Sequence, residues 1–240
     1  MKTKIKSVVK GLLRSLMGIE IRRYSPVNYG WLNERNISAI IDIGANVGEF
    51  CQAIDTILPG VRIFAFEPIK TCYDELIKNC KKLNIVTYNL GLGEGNYEAV
   101  MNVSAHAPSS SLLEMADLHK KVYPFTDSHQ TETIKVKRLD DIAAEMDLMG
   151  KNIFIKLDVQ GFEDRVIAGG RNTFSAASVV QIEVSYQTLY KGQALFDEIY
   201  FILRDLGFRF AGNIGQVHDP RNGDILFSDS LFLRPVFVDS

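Results

Sequence analysis

The segment Asp42-Ile43-Gly44-Ala45-Asn46-Val47-Gly48 constrains this chain more than any other. It joins a short β-branched run, residues 39–43, to a helical stretch that begins at residue 48 and extends to about residue 58. A strand that enters a glycine-bracketed turn and then a helix presents backbone N–H groups and a positive helix end to a ligand. Gly44 and Gly48 are spaced G-x-x-x-G, with Asn46 where many such turns carry a further glycine. The G-x-G-x-x-G dinucleotide fingerprint is therefore not matched, which weighs against a nicotinamide cofactor.

The same rhythm continues downstream. Pro59-Gly60 ends the first helix, residues 61–67 read as a second strand, and Pro68 opens a helix with Tyr73, Leu76, Ile77 and Cys80 on one face. Residues 85–90 read as a third strand that closes at Gly91-Leu92-Gly93. Helix over 139–149, buried strand over 152–159, one helix over 163–174 through Gly169-Gly170, strand over 179–185 and helix over 195–206 follow. Alternation of this kind predicts a doubly wound α/β domain around a mostly parallel sheet. Residues 208–211 and 225–233 read as an antiparallel closing pair, and an insertion over about 94–137 carries two antiparallel strands, 97–103 and 133–138.

At 240 residues and 46% apolar, the chain suits one globular domain, here residues 38–240. Residues 1–37 form a lead-in. There Ile5, Val8, Val9, Leu12, Leu13, Leu16 and Met17 follow helical spacing among Lys2, Lys4, Lys6, Lys10 and Arg14. Such a basic amphipathic helix docks on an anionic membrane surface, or packs on its own domain or a second subunit. A net charge of −2 provides no field for nucleic acid. Cys51, Cys72 and Cys80 lack disulfide or zinc spacing, and no run of 18 apolar residues is present. These features point to the cytoplasm, with peripheral contact at the inner membrane face as an extension.

Two carboxylates flank the turn. Asp42 is placed to reach an ammonium group or to order water around it. Glu67 ends the second strand, where an acidic side chain accepts hydrogen bonds from both hydroxyls of a ribose, or caps the helix begun at Pro68. Together with Ile41-Asp42-Ile43-Gly44-Ala45-Asn46-Val47-Gly48-Glu49-Phe50 and Phe66-Glu67-Pro68, three later blocks complete a pattern. They are Asn89-Leu90-Gly91-Leu92-Gly93, Ile155-Lys156-Leu157-Asp158-Val159-Gln160-Gly161-Phe162-Glu163 and Gln181-Ile182-Glu183. In content and order the set resembles the FkbM family of methyltransferases.

That resemblance implies a Rossmann-like methyltransferase fold, S-adenosyl-L-methionine as cofactor and O-methylation of a hydroxyl on a sugar, glycan or natural product. It assigns Asp42, Gly44, Asn46 and Gly48 to the methionine side of the cofactor and Glu67 to the ribose. Adenine is expected near Asn89 and Leu90. A nicotinamide oxidoreductase and a non-catalytic scaffold are the competing classes.

A hydroxyl is nearly as weak an acid as water, pKa about 15.7, so a base or a metal should assist. Asp158 is the leading candidate base, near the carboxyl end of the strand over 152–159, where ligands of open α/β sheets bind. Glu183 follows one strand along. Glu163 falls in a first helical turn, where the helix dipole favours an acid whatever its chemistry. His106, beside Pro108 and Ser109, reads as an imidazole on a lid or as a solvated loop residue. His119, His129 and His218 have no partner spacing. Asp158, Glu163 and Glu183 also make an oxygen-rich set suited to magnesium or calcium, though their spacing does not demand a metal. A small-molecule or glycan acceptor and a homo-oligomer are the expected partners.

Overall fold

The computed structural model describes residues 29–104, 110–123 and 129–235. The basic N-terminal helix and His106 lie outside the described residues. A 3-10 helix, Gly30–Arg35, leads into β1, Ala39–Ile43. Then come α1 (Glu49–Asp55), β2 (Arg62–Phe66), α2 (Lys70–Asn79) and β3 (Ile85–Tyr88). The insertion supplies β4 (Gly91–Leu92), β5 (Tyr97–Ser104), α3 (Asp117–Val122) and β6 (His129–Lys137). The chain continues through α4 (Leu139–Ala143), β7 (Ile153–Leu157), α5 (Glu163–Gly169), α6 (Arg171–Ala176) and β8 (Ala177–Ser185). It closes with α7 (Phe196–Asp205), β9 (Arg209–His218) and β10 (Ile225–Leu233).

Seven strands form the main sheet in the order β3-β2-β1-β7-β8-β10-β9. The first five are parallel, and β10 runs antiparallel to both of its neighbours. The order reverses between β1 and β7, and a doubly wound sheet opens its ligand crevice at such a reversal, above the carboxyl ends of the strands. Every residue of β1 is buried, as a central parallel strand covered on both faces requires. Its side chains alternate: Ile41 and Ile43 enter a core with Leu139, Val166, Phe174 and Leu203, while Ile40 enters another with Leu32, Ile54 and Leu76. Among the described residues no helix is long and apolar enough to cross a membrane.

The doubly wound sheet, the antiparallel C-terminal strand and the β-rich insertion match the sequence reading. β5 and β6 pair antiparallel from Tyr97 with Val136 to Ser104 with His129. Gly91–Leu92 departs from expectation. Instead of closing β3 it pairs parallel with β6 and seeds a second, three-stranded sheet, β4-β6-β5. The helix expected over 139–149 stops at Ala143.

The helix expected over 163–174 is two helices broken at Gly170. The Asp140 carboxylate explains the break: it accepts from Asn172 N at 3.1 Å, from Thr173 N at 2.9 Å and from Thr173 Oγ1 at 2.8 Å. These N–H groups belong to the first turn of α6, and a carboxylate that satisfies them starts a new helix. A backbone approach works with it, because a Cβ on Gly169 would lie 1.8 Å from the Gly93 carbonyl oxygen. Gly169→Ala must push α5 away from the loop after β4, and overpacking of this kind costs about 1–3 kcal/mol. A lowered urea midpoint with an unchanged slope is expected; an unaltered midpoint would contradict the close approach.

Candidate active site

The turn after β1 is built from positive-φ residues: Gly44 at 80°, Asn46 at 47° and Gly48 at 87°. Glycine meets this demand at two of them without steric cost, and asparagine is among the side chains that tolerate it. Space is the second demand. A Cβ on Gly44 would sit 1.9 Å from the Asp158 carbonyl oxygen, and one on Gly48 would strike Cys80 Sγ at 2.5 Å. The turn is thus seated on β7 on one side and on the end of α2 on the other.

Glu67 locks the turn from the neighbouring strand. Its Oε2 accepts from Asn46 N at 2.9 Å and its Oε1 from Ile69 N at 2.8 Å. Burial pushes its carboxyl up to about 7, against the pull of those two N–H groups. Each oxygen still has a free acceptor site, and Glu67 lines the cavity, so a ribose diol can be accepted without breaking either bond.

Behind the turn lies a row of ionisable groups at the carboxyl ends of the strands. Asp42 and Lys156 are register partners on β1 and β7, and Lys156 Nζ stands 3.7 Å from Asp42 Oδ1 and 3.4 Å from Asp158 Oδ2. Burial works against the Lys156 ammonium, yet Asp158, Asp42 and Asp229 hold its pKa above the ordinary lysine value. Asp42 is fully buried and accepts Cys51 Sγ at 3.1 Å, while its Oδ1 has no hydrogen-bond partner among the described residues. Burial raises its pKa.

A cavity of about 750 Å³ joins the two halves of the site. Gly44, Asn46, Glu67, Leu90 and Leu92 line one half; Lys156, Asp158, Gln160 and Glu183 line the other. Gln160 Nε2 donates to Asp158 Oδ1 at 2.9 Å and to Glu183 Oε1 at 2.8 Å, bringing the two preferred carboxylates to one amide. Burial, then Asp158 and Glu163, lift the Glu183 pKa well above the usual carboxylate range.

Three assignments change. Asn89 is exposed and outside the cavity lining: its amide donates to the carbonyls of Glu67 at 3.0 Å and Pro68 at 2.9 Å, holding the strand end that carries the acid. Asp42 lies beneath the turn, where it balances Lys156 and does not line the cavity. Glu163 is a loop brace, not a candidate base, since its Oε1 accepts from Val159 N at 3.1 Å and Gly161 N at 3.2 Å. With Glu163 so engaged, the oxygen-rich metal set is not assembled, and no cluster of three such ligands occurs among the described residues.

Sequence reasoning missed Lys156, Gln160 and His119. Lys156 carried a signal: a lysine inside an apolar strand needs a buried partner. Gln160 gave none, because its value lies in a backbone φ of 57° that aims its amide between two strands. His119, in the insertion, reaches the cavity through folding alone.

Comparison with known proteins agrees with this geometry. Residues 42–210 match the methyltransferase FkbM domain. The chain belongs to the FkbM methyltransferase family. The 2-O-methyltransferase NoeI of Sinorhizobium fredii is 27% identical over 169 residues, covering 68% of this chain and 69% of NoeI. Methyltransferase 1 of Beauveria bassiana is 26% identical over 144 residues, covering 55% of this chain and 58% of its own length. Fibrillarin of Aeropyrum pernix, solved with natively bound S-adenosyl-L-methionine, aligns over 93% of this chain and 74% of its own at 13% identity and a TM-score of 0.47.

Membership of the FkbM family makes this chain an S-adenosylmethionine-dependent methyltransferase and sets aside the oxidoreductase and scaffold readings. The residues present fit that cofactor. The turn leaves no room for side chains at Gly44 and Gly48, and Glu67 keeps acceptor capacity for a diol.

The acids define a pH dependence. Burial pushes Glu163 up to about 7, as it does Glu67. A carboxyl raised in the folded state binds more protons there than in the unfolded chain between its ordinary value of 4.5 and about 7. Stability from this source is present below about 4.5 and is lost as pH rises to about 7. At about 1.4 kcal/mol per unit, Glu163 alone accounts for on the order of 3 kcal/mol. Glu163→Gln keeps the carbonyl acceptor and removes the charge, so its urea midpoint should fall less than that of the native chain between pH 5 and pH 8.5. Parallel losses in the two proteins would contradict the assignment.

Proposed function

We propose that the chain transfers the methyl group of S-adenosylmethionine to a hydroxyl oxygen of a sugar or glycan. The observation that carries this reading is the joining of the glycine turn and Glu67 to the Asp158–Gln160–Glu183 bridge in one cavity. The cofactor supplies an electrophilic methyl carbon when bound. Asp158 and Glu183 then offer acceptor oxygens to neighbouring hydroxyls of a ring, while Phe162, Tyr123 and Phe227 give apolar surface for its C–H face. Gln160 keeps the two carboxylates in fixed relation, and alignment of the reacting oxygen behind the methyl carbon supplies much of the rate. The relative named as a 2-O-methyltransferase supports oxygen as the acceptor atom.

Three buried free cysteines, Cys51, Cys72 and Cys80, fit a reducing compartment such as the cytoplasm. The basic N-terminal helix read from the sequence would hold the enzyme at the inner face of an anionic membrane, near lipid-linked glycan precursors.

Incubation with S-adenosylmethionine labelled in its methyl group and a panel of methyl glycosides of the common hexoses should give labelled, singly O-methylated sugars. Transfer only to phenols or amines would overturn the sugar reading. Glu67→Ala should weaken binding of S-adenosylhomocysteine, read by calorimetry, through loss of two hydrogen bonds to the ribose. Asp158→Asn should mainly lower kcat; an equal loss of cofactor affinity in both variants would move Asp158 to cofactor positioning.

A further inference from the structure

His119 is a buried titratable group for which neither the apolar core nor the carboxylate bridge has a use. It sits on α3, is 3% exposed and lines the same cavity as Asp158, Gln160 and Glu183. Neither ring nitrogen has a hydrogen-bond partner among the described residues. Its ring makes edge contacts with Tyr123 and Tyr190, at centroid distances of 5.4 and 5.0 Å. The Tyr190 hydroxyl in turn donates to Gln160 Oε1 at 2.8 Å, so one aromatic ring separates the imidazole from the carboxylate bridge. Buried polar atoms in folded proteins are paired with few exceptions, and two orphaned nitrogens on a side chain that lines the cavity mark a place for a ligand's donor or acceptor.

We propose that His119 is the general base that takes the proton from the acceptor hydroxyl. The proposal rests on the reading of the chain as an O-methyltransferase. As a lone pair of the acceptor oxygen forms the bond to the methyl carbon, the carbon–sulfur bond breaks. Its electron pair stays on sulfur, which becomes a neutral thioether. The hydroxyl proton passes to an unpartnered ring nitrogen, and the imidazolium later returns it to water.

The carboxylates already carry protein partners. Asp158 is held by Lys156 Nζ at 3.4 Å and by Gln160 Nε2 at 2.9 Å. Burial, Asp158 and Glu163 raise the Glu183 pKa, and its Oε1 already accepts from Gln160 Nε2 at 2.8 Å. Burial lowers the His119 pKa, so its imidazole is neutral at pH 7 and ready to accept. The titratable groups around it are Tyr123 on its own helix, Tyr190 from the loop after β8, and across the cavity Glu183, Asp158 and Lys156. Asp219 acts on Tyr123, and β10 contributes only the apolar Leu226 and Phe227 beside this pocket.

Two arms test the proposal on the full-length protein. With a methyl glycoside that the native enzyme methylates, His119→Gln should lose on the order of 100-fold or more in kcat while S-adenosylhomocysteine affinity stays within about threefold. His119→Gly with added imidazole should recover part of that rate. Turnover of a folded His119→Gln within about threefold of native would overturn the assignment. The second arm needs no acceptor and reads the imidazole by NMR of protein labelled with 13C at histidine Cε1. A base beside the methyl carbon lies close to the sulfonium, so it should titrate at least about one unit lower with S-adenosylmethionine than with S-adenosylhomocysteine. Equal titration in the two complexes would overturn the proposal. Should no glycoside be methylated, the sugar reading fails and the NMR arm still judges His119.

Discussion

A single buried ammonium holds the polar half of this fold together. Lys156 stands in the centre of the parallel sheet, 3.7 Å from Asp42 on β1 and 3.4 Å from Asp158 beyond the end of β7. The fully buried Asp42 carboxylate is expensive to hold there, and the lysine between it and the partly exposed Asp158 is what makes its burial tolerable. Its ammonium also lies over the Phe50 ring, with Nζ 5.7 Å from the ring centroid. Removing it would leave Asp42 a buried acid without its cation, a kind of loss that costs about 3–5 kcal/mol.

Packing couples the two halves of the site as tightly as charge does. Gly44 rests on the Asp158 carbonyl, so the turn that receives the cofactor and the residue that faces the acceptor share one contact. Glu67 ties the same turn to β2 through Asn46 N, and Asn89 holds the Glu67 carbonyl from the end of β3. Four adjacent strands, β3-β2-β1-β7, therefore set the geometry of the crevice, and none of these contacts depends on a flexible side chain reaching across water.

Much of the fold was legible because apolar periodicity and glycine punctuation act locally. β1, the glycine turn and Glu67 are sequence-local devices, and each stands where its spacing placed it. The break at Gly170 was not legible, because the carboxylate that causes it comes from Asp140, some thirty residues away. Gly91–Leu92 gave the appearance of a strand end because its partner, β6, lies at the far end of the insertion. In the site, Asp158 and Glu183 were readable from their positions at strand ends. Glu163 was a credible base in the sequence and became a brace because two N–H groups of the Val159–Gly161 loop had no other acceptor nearby. His119 could not be singled out, since its character depends on a cavity built by residues from many separate segments.

The same desolvation that raises the acids also sets what the cavity favours. Asp42, Glu67, Glu183 and Asp229 are all shifted upward chiefly by burial, and Lys156 is the sole buried cation among them in the described site. A nearby cation favours the charged form of a carboxyl, so a positive ligand opposes the upward shift that burial imposes on the cavity-lining Glu67 and Glu183. A cationic ligand such as a sulfonium thus recovers part of the burial cost, whereas its neutral thioether counterpart recovers less. Electrostatics in this cavity would thus favour the methylated cofactor over its demethylated product.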